Sequence, residues 1–200
     1  MVTCKPPSAR YDTLRTGVPH GHGRGTDVAG LDLFVCPFTV LVDTREQAPW
    51  TFQQIVIERR LWSITRIAAT LATGDYTIAG CEGRLCIERK SAADLVGSVT
   101  AGNARFRREH ERMHKIACHR NAEGFNDGFA CVVVEGCLAA ICEELDQDAG
   151  RKVTSESVLG AVASWPMWYR VPWFFAGDRR TAERLAFKIM LKWWKENHVA

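Results

Sequence analysis

Short blocks of apolar residues recur along most of this chain, and their period changes from block to block. "FTVLVDTRE" at 38–46 is a compact β-prone run that stops in charge, as a buried strand does at its tip. "QQIVIERRLWSITRI" predicts a short helix followed by a strand near 62–67. "DYTIAG" and "RLCIERK" read as the two arms of a hairpin, with "GCEG" as its turn. "SAADLVGS" opens a helix, with Ser91 at the cap and Asp94 three residues on in the form of a capping box. In "NARFRREHERMHKIA", Phe106, Met113, Ile116 and Ala117 share one helical face. "FACVVVEG" is a buried strand, and "VPWFFAGD" a last one, with Asp178 placed to cap a final helix through about Glu196. Strands alternate with helices after the hairpin. The fold class expected is α/β, a central mixed β-sheet flanked by helices.

Before Phe38 the period disappears. Residues 1–36 are rich in Gly, Pro, Thr and Arg and are expected to be a flexible N-terminal arm, leaving 37–200 as one domain. A length of 200 residues suits that division. No internal repeat is visible. The net charge of +3 is too small to argue for a polyanionic partner, but its distribution is uneven. Arg105, Arg107, Arg108, Arg112, Lys115 and Arg120 lie in one segment, against Glu109 and Glu111. From Asn121 to Gly150 there are seven acids and no Lys or Arg. A basic element is therefore followed by an acidic one.

The cysteines number eight, yet the N-terminus has no apolar signal core and no run is long enough to cross a membrane. An intracellular setting is expected, cytoplasm or nucleoid, or nucleus in a eukaryote. There the cysteines act mainly as small buried hydrophobes, as Cys131 beside "VVV" suggests. Their spacings do not match a zinc knuckle, and "HGHG" at 20–23 is a weak metal pattern.

The chemistry gathers where "RLCIERK" ends. Alternation places Cys86, Glu88 and Lys90 on one face and Leu85, Ile87 and Arg89 on the other. The hairpin brings Asp75 alongside, and the first strand, if adjacent, adds Asp43. Three carboxylates converging there repel unless a cation joins them. Oxygen ligands at a partly open site suit Mg²⁺, with Mn²⁺ as a substitute. Such an ion polarises a phosphoryl oxygen and acidifies a bound water, while Lys90 orients that water or stabilises transition-state charge. The same residues also fit a salt-bridged strand end, Asp75 with Arg89 and Glu88 with Lys90.

Taken together the motifs narrow the choice. Val42-Asp43-Thr44-Arg45-Glu46, then Gly74-Asp75, a twelve-residue spacer, Glu88-Arg89-Lys90, "SAA" and Asp94 resemble the nuclease domain of the XPF family. These are structure-specific endonucleases of the excision-repair cross-complementing type, with a restriction-endonuclease-like core. Ser98, "RFRRE", "VVVEG" and "VPWFFAGDRRTAERL" extend the likeness over about 38–196. The resemblance implies a Mg²⁺-dependent endodeoxyribonuclease of repair or recombination, cutting branched, flapped or forked DNA to a 5′-phosphate and a 3′-hydroxyl. It implies Asp75 and Glu88 as metal ligands, with Asp43 as ligand or partner of a metal-bound water. Lys90 would act on the nucleophilic water, and Arg45 and Arg89 would contact phosphate or brace the carboxylates. Asp94 is either part of the site or only a helix cap, and Glu46 either part of the site or the partner of a neighbouring Arg.

Members of the family usually carry a helix-hairpin-helix module after the nuclease and often a helicase before it. The chain ends about four residues after its last expected helix, so neither is expected here. The "GHGRG" arm and the helix bearing Arg105, Arg107, Arg108 and Arg112 would then supply the phosphate contacts, or a separate DNA-targeting partner protein would. A non-catalytic scaffolding subunit is the alternative, although such a subunit is expected to have lost Asp75, Glu88 or Lys90, and all three stand. A homodimer is also expected. On the last helix Ala182, Leu185, Ala186, Ile189, Met190 and Trp193 form a stripe for the sheet, and Phe187, Leu191 and Trp194 form a second that would be exposed in a monomer.

Overall fold

The computed structural model describes residues 31–100, 103–148 and 153–198. The expected arm therefore lies largely outside the described residues, "HGHG" and "GHGRG" included. Strand β1 runs Asp32–Asp43, β2 Ile55–Ile57, β3 Arg60–Ala69, β4 Tyr76–Ile78 and β5 Leu85–Ser91. Helices α1 (Ala92–Val99) and α2 (Asn103–Ala117) follow, then β6 (Phe129–Glu135), α3 (Leu138–Gln147), α4 (Ser155–Tyr169), β7 (Trp173–Phe175) and α5 (Arg179–His198). The strands form one sheet in the order β2-β3-β1-β4-β5-β6-β7. β1 is parallel to β3 and antiparallel to β4, β4 is antiparallel to β5, and β5, β6 and β7 are parallel. The sheet is mixed, as expected, and β1 does lie beside the hairpin.

Alternation along β5 and β6 divides two cores. Leu85, Ile87, Cys131 and Val133 face α5 and the aromatic residues of β1–β3. Cys86, Ala130, Val132 and Val134 face α1–α4. Among the described residues, α5 is the helix that packs on the first face. α2 packs over the second through Phe106, His110, Met113 and Ala117.

Three expectations need correction. The helix expected in "QQIVIERR" is a β-hairpin instead: Ile57 pairs with Arg60 across a two-residue turn at Glu58 and Arg59, both at positive φ. The alternating Ile55-Val56-Ile57 buries both isoleucines, which outweighs the helix-forming charged pair in the turn. β1 begins at Asp32 rather than near Phe38, so the last residues assigned to the arm belong to the sheet. α3 and α4 were not singled out from the sequence, and α4 holds Pro166 within it. The second stripe of α5 is not exposed: Phe187 is fully buried and Leu191 nearly so. Phe187 packs 5.6 Å from Trp62 and 6.0 Å from Phe38, and Trp194 lies 5.4 Å from Phe38, ring centre to ring centre. The β1–β3 edge supplies the cover that a second copy was expected to give.

Candidate active site

The tip of β5 projects its charges in opposite directions, as alternation requires. Glu88 and Lys90 face α1 and α2, with Lys90 Nζ 2.6 Å from Glu88 Oε1. Asp75 enters from the turn before β4. Its N–H bonds to Ile87 O at 2.9 Å, its carbonyl accepts from Asp43 N at 2.8 Å, and its Oδ2 accepts from Arg89 N at 2.7 Å. Gly74 makes this approach possible. Its φ is +71°, and a Cβ there would collide with Cys86 Sγ. A cleft of about 630 Å³ opens over these groups, lined among others by Asp75, Glu88, Lys90, Asp94, Arg105 and Glu109. A narrower cavity of about 370 Å³ adjoins it beside Glu88 and Lys90.

The electrostatics are those of a site under tension. Burial and then the neighbouring Glu88 charge push the Asp75 carboxyl up to about 8. Burial raises Glu88 as well, against the opposing pull of Lys90. Burial works against the charge on Lys90, but Glu88 outweighs it and keeps the ammonium protonated to higher pH than usual. Lys90 is thus held as a donor, with its head 4.8 Å from the centre of the Phe106 ring.

The other expected residues are distributed less simply. Asp43 is buried, and both of its oxygens are engaged. Arg45 N and Nε donate to Oδ1 at 2.7 and 2.9 Å, and Arg45 Nη2 and Leu71 N donate to Oδ2 at 2.6 and 3.0 Å. These bonds overcome the effect of burial and hold its carboxyl below the usual range. Among the described residues no group of three or more His, Cys, Asp or Glu is arranged to hold a metal ion. Asp43 borders the same cleft as Asp75 and Glu88, but both of its oxygens are engaged by Arg45 and Leu71 in the turn. Arg45 is two-thirds exposed and lines the cleft. Arg89 turns to the opposite face, where it pairs with Glu135 at 2.7 Å and Glu46 at 3.3 Å. Glu46 pairs with Arg89 and also borders the cleft, as Arg89 itself does. Asp94 does both things open to it: its N–H bonds to Ser91 Oγ at 3.1 Å, and its side chain lines the cleft. Arg105 and Arg112 line the cleft as well. Arg107 instead lies over Trp165, and Arg108 is exposed outside the lining.

Glu109 was not singled out from the sequence. Its Oε1 accepts from Gly74 N at 3.1 Å, and its other oxygen pairs with Arg112. The signal was available. Arg105, Glu109 and Arg112 form a polar stripe on α2, beside the buried stripe of Phe106, His110 and Met113. Glu135 was also missed; it holds Arg89, Trp50 Nε1 at 2.6 Å and Arg179 at 3.0 Å.

With this geometry in hand, the comparisons with known proteins are specific. Residues 42–187 match the ERCC4 domain. The chain belongs to the ERCC4 domain family. The matched span begins at the end of β1 and ends within α5, so this ERCC4 domain contains every site residue described above. Its fold is that of XPF from Aeropyrum pernix, with a TM-score of 0.51 at 17% identity over 80% of this chain and 65% of that one. The same archaeal protein in a complex with DNA gives 0.51 and 17%, over 82% and 68%. The chain thus spans just under two thirds of the first of these structures. No curated protein sequence matches it. The resemblance read from the motifs, an XPF-type nuclease domain, stands.

Proposed function

We propose that this ERCC4 domain is a divalent-metal-dependent endonuclease that hydrolyses phosphodiester bonds in branched, flapped or forked DNA. The observation that carries the reading is the pair Asp75 and Glu88, two desolvated carboxylates at one cleft, with Asp75 pushed further up by the Glu88 charge. A divalent cation relieves that repulsion, and an oxygen-only donor set with room for water fits Mg²⁺, or Mn²⁺ in its place. Asp75 and Glu88 are the residues that would hold it. When bound, such an ion polarises the scissile phosphate and lowers the pKa of water.

The chain's own groups do the rest. Arg45, Arg105 and Arg112 line the cleft and draw the phosphate backbone in without reading bases. Protonated Lys90 donates to a non-bridging phosphate oxygen as negative charge grows there. Attack by water forms one P–O bond, the P–O3′ bond breaks, and the departing oxygen takes up a proton. The products are a 5′-phosphate and a 3′-hydroxyl. The test is a panel of labelled flap, fork, four-way and single-stranded DNAs with Mg²⁺ or Mn²⁺. Cleavage of the branched DNAs, lost with Asp75→Asn, supports the reading. Tight binding of the same DNAs without cleavage in either metal would favour the scaffolding alternative.

The homodimer is proposed on a different helix from the one first expected. From Ser157 to Tyr169, α4 has no charged residue, and Leu159, Met167 and Trp168 are exposed along it. Such a patch calls for cover. A second copy is the occupant we assign, because Glu156 lies at one end of the face and Arg170 at the other. An antiparallel α4–α4 contact sets each charge opposite its complement. Light scattering on the protein and on a Met167→Lys, Trp168→Glu variant decides. A dimeric wild type and a monomeric variant are expected, and a wild type that stays monomeric at tens of micromolar overturns the assignment.

A further inference from the structure

We infer that Glu109 is a positioning residue of the cleft, fixing the Gly74–Asp75 turn from α2 and thereby aiming the Asp75 carboxylate. The inference rests on the proposed reading of Asp75 as a metal-holding group. Three bonds secure Asp75 to the sheet: its N–H to Ile87 O, its carbonyl from Asp43 N, and its Oδ2 from Arg89 N. All three come from β1 or β5, below and beside the turn. None restrains the turn from the helix side, where the cleft opens. Gly74 N–H, one residue before Asp75, meets Glu109 Oε1 across a separation of 35 residues in sequence.

The placement of a third carboxylate here is not electrostatically neutral. Glu109 is among the charges that raise Glu88. Arg112, paired with its second oxygen, offsets part of that repulsion. Glu109 borders both cavities, so it stands between the narrow pocket beside Glu88 and the wider cleft. The expected third acid, Asp43, is tied on all sides to Arg45 and Leu71. α2 thus adds an acid, Glu109, to a cleft that Asp43 also borders from the end of β1. Because Gly74 has no side chain and lies against Cys86, the turn has no side-chain anchor of its own at that residue. Its backbone N–H is the handle, and Glu109 is what holds it.

The substitutions to compare are Glu109→Ala, which removes the acceptor, and Glu109→Gln, whose amide oxygen accepts the same bond. With Mn²⁺ saturating, Glu109→Ala is expected to lower the single-turnover cleavage rate about 30-fold while leaving DNA affinity within about threefold. Glu109→Gln is expected to recover most of that loss. Two readouts do not depend on cleavage. In metal-free protein the Gly74 amide resonance should move with Glu109→Ala and stay near its place with Glu109→Gln. Mn²⁺ binding to DNA-free protein should weaken with Glu109→Ala and be restored by Glu109→Gln. A Gly74 amide unmoved by Glu109→Ala overturns the inference, as does a cleavage loss that Gln fails to rescue. Asp75→Asn serves as the control for the underlying reading. If it binds Mn²⁺ like the wild type, the metal assignment fails, and the Gly74 resonance still judges Glu109 on its own.

Discussion

Arg89 and Lys90 are neighbours in the chain and live in opposite surroundings. On the α5 side of β5, Arg89 meets Glu135 and Glu46, and Glu135 also takes Trp50 and Arg179. Hydrogen bonds from Arg89 and Trp50 outweigh burial there and hold the Glu135 carboxyl below its usual range. On the α2 side, Glu88 and Asp75 are driven the other way, above theirs. Both clusters are charged and sparingly exposed. The direction of the carboxylate shifts separates them: acids in a completed ion-pair network are easier to ionise, and acids whose burial is not offset by their partners are harder. The first cluster braces the strand tip, and the second is where chemistry is expected.

The contrast is broken most severely at its active side. Asp75→Asn or Glu88→Gln should lower cleavage of a flap substrate by about 10³-fold or more, the loss of several kcal/mol of transition-state stabilisation. Circular dichroism should show the fold intact. Metal-free Asp75→Asn should also melt higher than the wild type at pH 7. The folded pKa of about 8 lies above the ordinary 3.8, so this carboxyl supports folding at low pH and its contribution is lost as pH rises through 8. A rise of a few degrees is expected, at about 2–4 °C per kcal/mol. An unchanged or lower midpoint would show that Asp75 is not strained.

Lys90→Ala should reduce the single-turnover rate by about 10²-fold with little change in DNA affinity, as befits a group acting in the transition state. The Arg105→Ala, Arg112→Ala pair should do the reverse, weakening binding and flattening its salt dependence by about one unit of slope per lost contact. Arg108→Ala, outside the cleft, should matter less. Filter binding across a salt series distinguishes these outcomes.

The bracing side should fail as structure rather than as chemistry. Glu135→Ala leaves Arg89 and Trp50 without their main acceptor and should cost about 3 kcal/mol in urea unfolding. Its rate per folded molecule should fall much less than that of Glu88→Gln. If the two variants lose activity equally, the division between bracing and reacting faces is wrong.

The smallest effect belongs to His110, which is fully buried in the same core as the reacting face. Its Nε2 accepts from Trp173 Nε1 at 2.8 Å, and its Nδ1 lies 3.0 Å from Phe106 O. Burial lowers its pKa from 6.5 to about 4. The unfolded chain therefore takes up a proton first as pH falls, and stability drains away from about pH 6.5 towards 4. Between pH 7 and 5 the loss should be about 2 kcal/mol more than in Glu- and Asp-matched His110→Gln protein. Urea unfolding at the two pH values measures the difference directly.

Much of this was legible in the sequence, for identifiable reasons. The strands β1 and β6 announce themselves by β-branched runs, and alternation along 85–90 correctly assigned Glu88 and Lys90 to one face and Arg89 to the other. Asp75 was legible because a Gly-Asp pair stood at a hairpin. The fate of Asp43 was not, since its bonds to Arg45 form within a turn whose path no periodicity encodes. The Ile55–Ile57 strand was hidden by its turn, whose Glu58 and Arg59 look helical in composition. The second stripe of α5 was read correctly as apolar and wrongly as exposed. A helical wheel reports which residues want cover, and only the tertiary path of β1–β3 says what provides it.

The contact between Gly74 and Cys86 makes the site observable in time. Cys86 is 1% exposed, and burial raises its thiol well above the ordinary range, so in the closed protein it is a poor nucleophile with nowhere to meet a reagent. The Gly74 turn lies directly over its sulfur. Whenever that turn lifts, the sulfur and the Asp75 carboxyl are uncovered by the same motion. Cys86 is therefore a built-in clock: with the more accessible cysteines replaced, its alkylation rate counts how often the Gly74–Asp75 turn opens.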